Sequence, residues 1–302
     1  MRFQLQDWLP HSNIRNRGGF EYFGGAEAAR SGALAYCDTY HHLTRALANE
    51  RVSAVIVDES LADSLPGDCD KAVALVPSAR DAYWHVFSQM AKAGLQDEPI
   101  GEGGRDEGCE VHPTAVIDAG VRLGRGVKIG PFAVIERNSV IHAYCEIHAH
   151  AIVGSTGLQT YVWEGRRCLV PHCGGVRLGE GVAVLTGANI SRAARPLSTI
   201  VSDFAMISIQ ASVGHGVVVG ARSQLAGKCI IGGSARIGED VFVGIGAVVR
   251  DGVHIGDGAR VSLGSVVVED VKAGQIVSGN FAISHELYLR RFFEAKRSKR
   301  GY

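Results

Sequence analysis

From Val201 to Val267 an aliphatic side chain returns at every sixth position: Val201, Ile207, Val213, Val219, Leu225, Ile231, Ile237, Val243, Val249, Ile255, Val261 and Val267. An α-helix repeats near 3.6 residues and a strand every second residue, so neither accounts for a period of six. The same phase runs earlier through Val111, Ile117, Leu123, Ile129, Ile135, Ile141, Ile147 and Val153, whereas Leu178, Val184 and Ile190 sit one step out of it. Four residues after the aliphatic the chain places a small side chain, as at Ala115, Cys145, Ala205, Ala211, Ser223, Cys229, Ala247 and Ser265. One large and one small inward side chain per hexapeptide suit a solenoid with three flat faces per turn, the small one fitting the crowded interior beside a corner. A coil then takes 18 residues, and because coils stack at about 4.8 Å, residues 18 apart become vertical neighbours. The pattern predicts a parallel β-helix and argues against a β-sandwich with a chance period.

Outside the repeat the pattern changes. Residues 1–98 alternate short apolar runs ("ALAYC", "VSAVIVD", "AVALVP") with helical spacing around "HHLTRALAN" and "SARDAYWHVFSQMAKAG", which predicts a small α/β domain. Ser78 is placed to cap the second helix and Gly94 to end it, with Tyr83, Phe87, Met90 and Ala91 on one face. The polar, glycine-rich stretch from about 95 to 110 reads as a linker, residues 111–280 as the β-helix, and 281–302 as a terminal helix. That helix, with Leu289, Phe292 and Phe293 on one side, is expected to cap the open end of the coils. Two stretches break the register, at about 155–177 and 195–200. The first carries Tyr161, Trp163, Arg166 and Arg167.

Composition narrows the class. The 302 residues carry 31 Lys and Arg against 31 Asp and Glu, which opposes both disorder and a wholly basic nucleic-acid binder. Neither a secretory leader nor an apolar run of about 18 residues is found, so no membrane span and a cytoplasmic location are expected. The seven cysteines form no C-x-x-C pair, and Cys145 and Cys229 fall on small inward positions, so disulfides are not expected.

A β-helix is mostly scaffold, and chemistry is sought where a polar side chain breaks a corner or outward face. His215, in "ASVGHGVVVG", is such a residue, and one coil later lies Gly233, in "IGGSAR". A histidine above a glycine amide offers a general base beside an oxyanion donor, a pairing suited to acyl transfer. The alternative is one solvated histidine among twelve.

The "VHPTAVI" and "IGPFAVI" coils, and the chain from Val111 to about Gly279, resemble the left-handed parallel β-helix of the hexapeptide acyltransferases. Within them the chain is most similar to the UDP-3-O-acylglucosamine N-acyltransferases of lipid A synthesis. "GHGVVVGARSQLAGKCIIGGSARIG" runs without gaps against that family's catalytic motif, which implies His215 as base and Gly233 as oxyanion glycine. "SGALAYCDTYHHLTRALANERVSAVIVDESL" is similar to the family's uridine-binding domain and implies Tyr36 as the residue stacking on the base. The resemblance also implies a homotrimer with sites between neighbouring stacks, where the 155–177 stretch is either a cover for an acyl chain or phosphate between subunits or a plain surface excursion. Departures are present: Ser208 and Ile209 stand where the family carries Asp-Asn, Thr156 stands for an acid, and Gly252 for a second histidine. The segment from His215 is likewise similar to sugar N-acetyltransferases of surface-glycan synthesis, in which an acidic residue often follows the histidine; here Gly216 follows it.

The expected reaction is therefore transfer of an acyl group from a thioester, acyl carrier protein or coenzyme A, to the amine of a nucleotide-linked aminosugar, with no bound cofactor or metal. Arg290, Arg291, Lys296 and Arg297 form a basic tail suited to such an acidic donor, unless they are only a solvated face. Two competing readings are a non-enzymatic β-helix scaffold and a γ-carbonic-anhydrase-like metal enzyme, to which His142, His148 and His150 would be the ligands.

Overall fold

The computed structural model describes residues 2–10, 12–95, 103–195, 197–279, 282 and 284–298; the side chains of Tyr288, Phe292 and residues 295–298 lie outside this set. The chain divides into two compact units: Glu102–Ser155, Val176–Ser191 and Thr199–Tyr302 form the repeat unit, and Met1–Gly101, Thr156–Gly175 and Arg192–Ser198 the other.

The repeat unit is a left-handed parallel β-helix. Among the described residues its strands build three parallel sheets of eight, eight and nine strands. Pairing follows the expected 18-residue step, as in Val116 with Val134, Lys128 with Glu146 and Val218 with Arg236. The period-six aliphatics point inward, and Val201, Ile207, Val213, Val219 and Leu225 are fully buried. Each such side chain contributes about 1.5–3 kcal/mol relative to an exposed one. The small inward positions Cys145, Ala205, Ala211, Ser223, Cys229 and Ala247 are buried beside them. Ser223 satisfies its hydroxyl by donating to the Gly238 carbonyl (2.7 Å) and accepting from Val241 N–H (2.9 Å). Burial pushes the Cys145 thiol up to about 11 and Cys229 to about 12, so both act as small apolar fillers.

Corners are turned by one residue in the left-handed region, and this need not be glycine. Tyr144, Phe204, Gln210, Arg222, Lys228 and Asp240 have φ between 54° and 60°. Each donates its N–H to a carbonyl one coil earlier, for example Arg222 to Asp203 and Lys228 to Ile209, both at 2.9 Å. The stack thereby holds a conformation that an isolated residue avoids.

The two register breaks have a common arithmetic. Ile152 pairs with Asn189, 37 positions on, and Ala183 with Met206, 23 positions on. The first excursion shifts the phase by one residue and the second by five, so together they restore the hexapeptide. This is why Leu178, Val184 and Ile190 read one step out and Val201 reads in phase again.

The other unit holds a five-stranded sheet, ordered Asn13–Asn16, Ala72–Val76, Val52–Asp58, Ala33–Cys37 and Tyr22–Phe23, parallel except at Asn13–Asn16. A short α1 (Leu5–Trp8) precedes it, and α2 (Tyr40–Ala48) and α3 (Ala79–Lys92) connect its parallel strands or follow them. Ser78 caps α3 by accepting from Asp81 N–H, and Gly94 leaves it at φ 72°. Tyr83, Phe87 and Met90 are buried and Ala91 half-buried. The excursion 156–175 is an antiparallel hairpin, Thr160–Trp163 with Arg166–Leu169, that packs on α3. Trp163 stacks on His85 with ring centroids 3.8 Å apart, and Tyr161, Val170, Cys173 and Ala194 complete the core around Phe87. In this chain it is therefore part of the α/β unit's own core, a role that neither of the expected readings gave it.

The C-terminal helix α4 (His285–Ser298) forms, but its described side chains from His285 to Glu294 are all exposed. The expectation that Leu289 and Phe293 cap the coils is thus not met within one chain; Phe292 lies outside the described side chains.

Candidate active site

His215 sits at a corner that follows the sheet carrying Ser212–Val213, and is half-buried. Gly233 occupies the same corner one coil on and is buried. The two meet directly: a Cβ built on Gly233 falls 2.6 Å from His215 Nε2 and 2.7 Å from Cε1. Any side chain at 233 would have to push the ring aside, so glycine there is what lets the imidazole lie over the main chain.

The corner is anchored from below. Gly216, in the left-handed region at φ 69°, donates its N–H to Thr199 Oγ1 (2.9 Å), and the buried Thr199 hydroxyl donates to the Ser191 carbonyl (2.6 Å). Ser191 Oγ in turn lies 3.2 Å from Ser155 Oγ. The Thr199 hydroxyl thereby ties the backbone that carries His215 to the Ser191 main chain. Thr199 was not singled out from sequence, because it follows the second excursion, where counting by 18 fails.

One expectation is revised. The Gly233 amide is not an open oxyanion donor: its N–H already donates to Asp251 Oδ1 at 2.6 Å. Asp251 is the next residue in the same corner column. The same bond recurs at other corners, from Glu180 N–H to Asp203 (2.8 Å) and from Glu239 N–H to Asp257 (2.9 Å). Counting one further coil from Gly233 would have located it.

In the α/β unit Tyr36 lies on a strand of the parallel sheet, half-buried, its ring centroid 5.1 Å from Tyr83 and 6.3 Å from His42. Burial chiefly, and then Asp38, push its hydroxyl above the usual phenol range, while Arg80 and Arg195 pull the other way. Two guanidinium groups therefore act on this tyrosine, neither of which sequence spacing pointed to. A separate cavity of about 590 Å³ is lined by Trp8, Glu59, Asp81, His85, Trp163 and Glu164 among others. Glu59, Asp81 and Glu164 turn it acidic, and at the start of α3 the Ala79 N–H already donates to Asp58 Oδ1 (2.6 Å), so this cavity does not suit a phosphate.

Of the three histidines in the metal-ligand reading, two are engaged with other side chains. His150 stacks on Phe132, with centroids 5.1 Å apart, while His148 Nε2 lies 3.8 Å from Glu146. Among the described residues no group of three His, Cys, Asp or Glu is placed to hold a metal ion. On α4, Arg290 and Arg291 are exposed, and the Lys296 and Arg297 side chains lie outside the described residues. No helix among the described residues is long and apolar enough to cross a membrane.

Residues 234–268 match the family described as bacterial transferase hexapeptide (six repeats). The stretch 234–268 carries that repeat. The chain is similar to UDP-3-O-acylglucosamine N-acyltransferase 1 of Francisella tularensis subsp. holarctica, at 27% identity over 67% of this chain and 66% of that protein. It is also similar to UDP-3-O-acylglucosamine N-acyltransferase of a Janthinobacterium species, at 28% identity over 50% of this chain and 43% of that protein. The hexapeptide chain thus spans less than two thirds of the length of either relative. A solved structure of UDP-N-acetylglucosamine O-acyltransferase from Moraxella catarrhalis aligns with 64% of this chain and 77% of its own, at 22% identity and a TM-score of 0.42.

Proposed function

We propose that this protein is an N-acyltransferase that moves an acyl group from a thioester to the amine of a nucleotide-linked aminosugar. The observation that carries the reading is the His215 imidazole lying over the main chain of Gly233 one coil away. In the reaction the amine nitrogen attacks the thioester carbonyl, a C–N bond forms, and His215 takes the amine proton. The carbonyl electrons move to oxygen and the tetrahedral intermediate collapses. The C–S bond breaks, and the thiolate receives the proton from His215. A positioned base is worth roughly 10²- to 10⁴-fold. Gly233 N–H is the main-chain donor beside the ring and serves the oxyanion only when the Asp251 carboxylate is off it.

Tyr36, with Arg80 and Arg195 acting on it, is read as the nucleotide platform: an aromatic face for the base and cations for the phosphates. The basic residues Arg290, Arg291, Lys296 and Arg297 are read as a docking segment for an acidic donor, acyl carrier protein or coenzyme A. A homotrimer is supported by exposed aliphatics on one face and corner of the β-helix, Ile209, Ile230, Ile245, Val248, Leu263 and Val266. The names of the curated relatives favour a UDP-aminosugar as acceptor.

The test is His215→Ala assayed with a set of nucleotide aminosugars and both donor types. Turnover should fall about 100-fold or more, with the thermal unfolding midpoint kept. A variant within tenfold of the parent removes His215 from the chemistry.

A further inference from the structure

The amide that an oxyanion would use is occupied by the chain itself. Asp251 Oδ1 accepts from Gly233 N–H at 2.6 Å, and the His215 ring lies against the same residue. A carboxylate oxygen and a tetrahedral oxyanion are alike in charge and in the donor they seek, and one N–H cannot serve both at full strength. Asp251 is solvent-exposed whereas Gly233 is buried, so the carboxylate can leave to water while the amide stays fixed. At the corners of Asp203 and Asp257 the same bond merely ties one coil to the next, since the amides there belong to exposed glutamates with no imidazole above them.

We infer that Asp251 is a built-in competitor for the anion position beside His215, seated on the Gly233 amide in the free protein and displaced when the thioester carbonyl enters. This rests on the acyl-transfer reading of the site. It makes Asp251 a residue that sets the cost of donor binding, without itself exchanging a proton with substrate. Its removal frees a donor that the parent must first uncover.

The experiment compares Asp251→Ala and Asp251→Asn with the parent, as full chains. Expected for Asp251→Ala is a rise of about threefold or more in kcat/KM for the thioester, carried by a lower donor KM, even as the unfolding midpoint falls through loss of the coil tie. Asp251→Asn keeps a neutral, weaker acceptor and should lie between. A folded Ala variant with unchanged or lower kcat/KM overturns the inference, and so does Asn equal to parent should Ala fail to fold. Glycine-selective ¹⁵N spectra give a readout independent of turnover. The Gly233 amide should shift in Asp251→Ala, and sodium acetate should move it back toward the parent position in that variant alone. Acetate without effect on the variant also overturns the inference. Loss of transfer activity in the parent, or retention in His215→Ala, strikes the acyl-transfer reading itself, while the acetate result still decides whether Asp251 fills an anion position.

Discussion

At the scale of single residues the site is a column, not a motif. His215, Gly233 and Asp251 are 18 residues apart in turn, and the stack converts that spacing into contact. The first pair was legible in the sequence because both residues fall within an unbroken run of hexapeptides. Asp251 was legible by the same count, yet a carboxylate at a corner reads as solvated until a coordinate places its oxygen on the neighbouring amide. Thr199 was not legible, because its partners Ser191 and Gly216 are joined across an excursion of a length that nothing in the hexapeptide pattern fixes. Thr199→Val keeps the shape and removes the hydroxyl that both accepts and donates. Leaving the Gly216 N–H and the Ser191 carbonyl unpaired should cost about 1–3 kcal/mol. The unfolding midpoint should drop by about 2–4 °C per kcal/mol, and kcat should fall more than KM changes, because the base loses its support. A variant with parental midpoint and kcat would show that the Thr199 hydroxyl is idle.

At the scale of elements, the α/β unit departs most from what the sequence led one to expect. Three of its five strands, Ala33–Cys37, Val52–Asp58 and Ala72–Val76, and both longer helices were visible as apolar runs and helical spacing, since those signals are local, whereas Asn13–Asn16 and Tyr22–Phe23 carry no such run. The hairpin 160–169 was visible only as a break in someone else's pattern, because what it packs against lies far away in sequence: Trp163 on His85, and Asp81 Oδ1 accepting from Val162 N–H at 3.0 Å. This docking has a pH signature. Burial holds the His85 imidazole below its usual range, so the folded unit binds this proton less readily than the unfolded chain does. Stability therefore rises with pH through this group: the contribution is complete above about 6.5, the ordinary imidazole value, and is lost as pH falls below it toward the lower folded value. All three tryptophans, Trp8, Trp84 and Trp163, belong to this unit, so their fluorescence follows its unfolding. Urea midpoints read by fluorescence should decline from pH 7.5 to pH 5, and His85→Gln should flatten that decline. An unaltered slope in the variant would place the proton elsewhere.

At the scale of the whole molecule, the period of six settled the architecture, because a solenoid repeats one local rule and every coil restates it. What the repeat cannot encode is which outward face meets another chain; that depends on columns of exposed residues. Ile230, Val248 and Val266 form such a column, on a sheet whose inward residues Ile231, Val249 and Val267 are buried. If a second and third copy cover it, Ile230→Asp with Val248→Asp should convert the sedimenting species from trimer to monomer while each chain keeps its unfolding transition. A parent that sediments as a monomer would end the trimeric reading. The phase-complementary excursions, finally, bear on the order in which the chain can be made. Tyr161, Val170, Cys173 and Ala194 sit in the same apolar cluster as Leu5, Phe20 and Phe87. The amino-terminal unit consequently has no complete interior when its own contiguous stretch leaves the ribosome. Its interior closes only once 156–175 and 192–198 have been added to it.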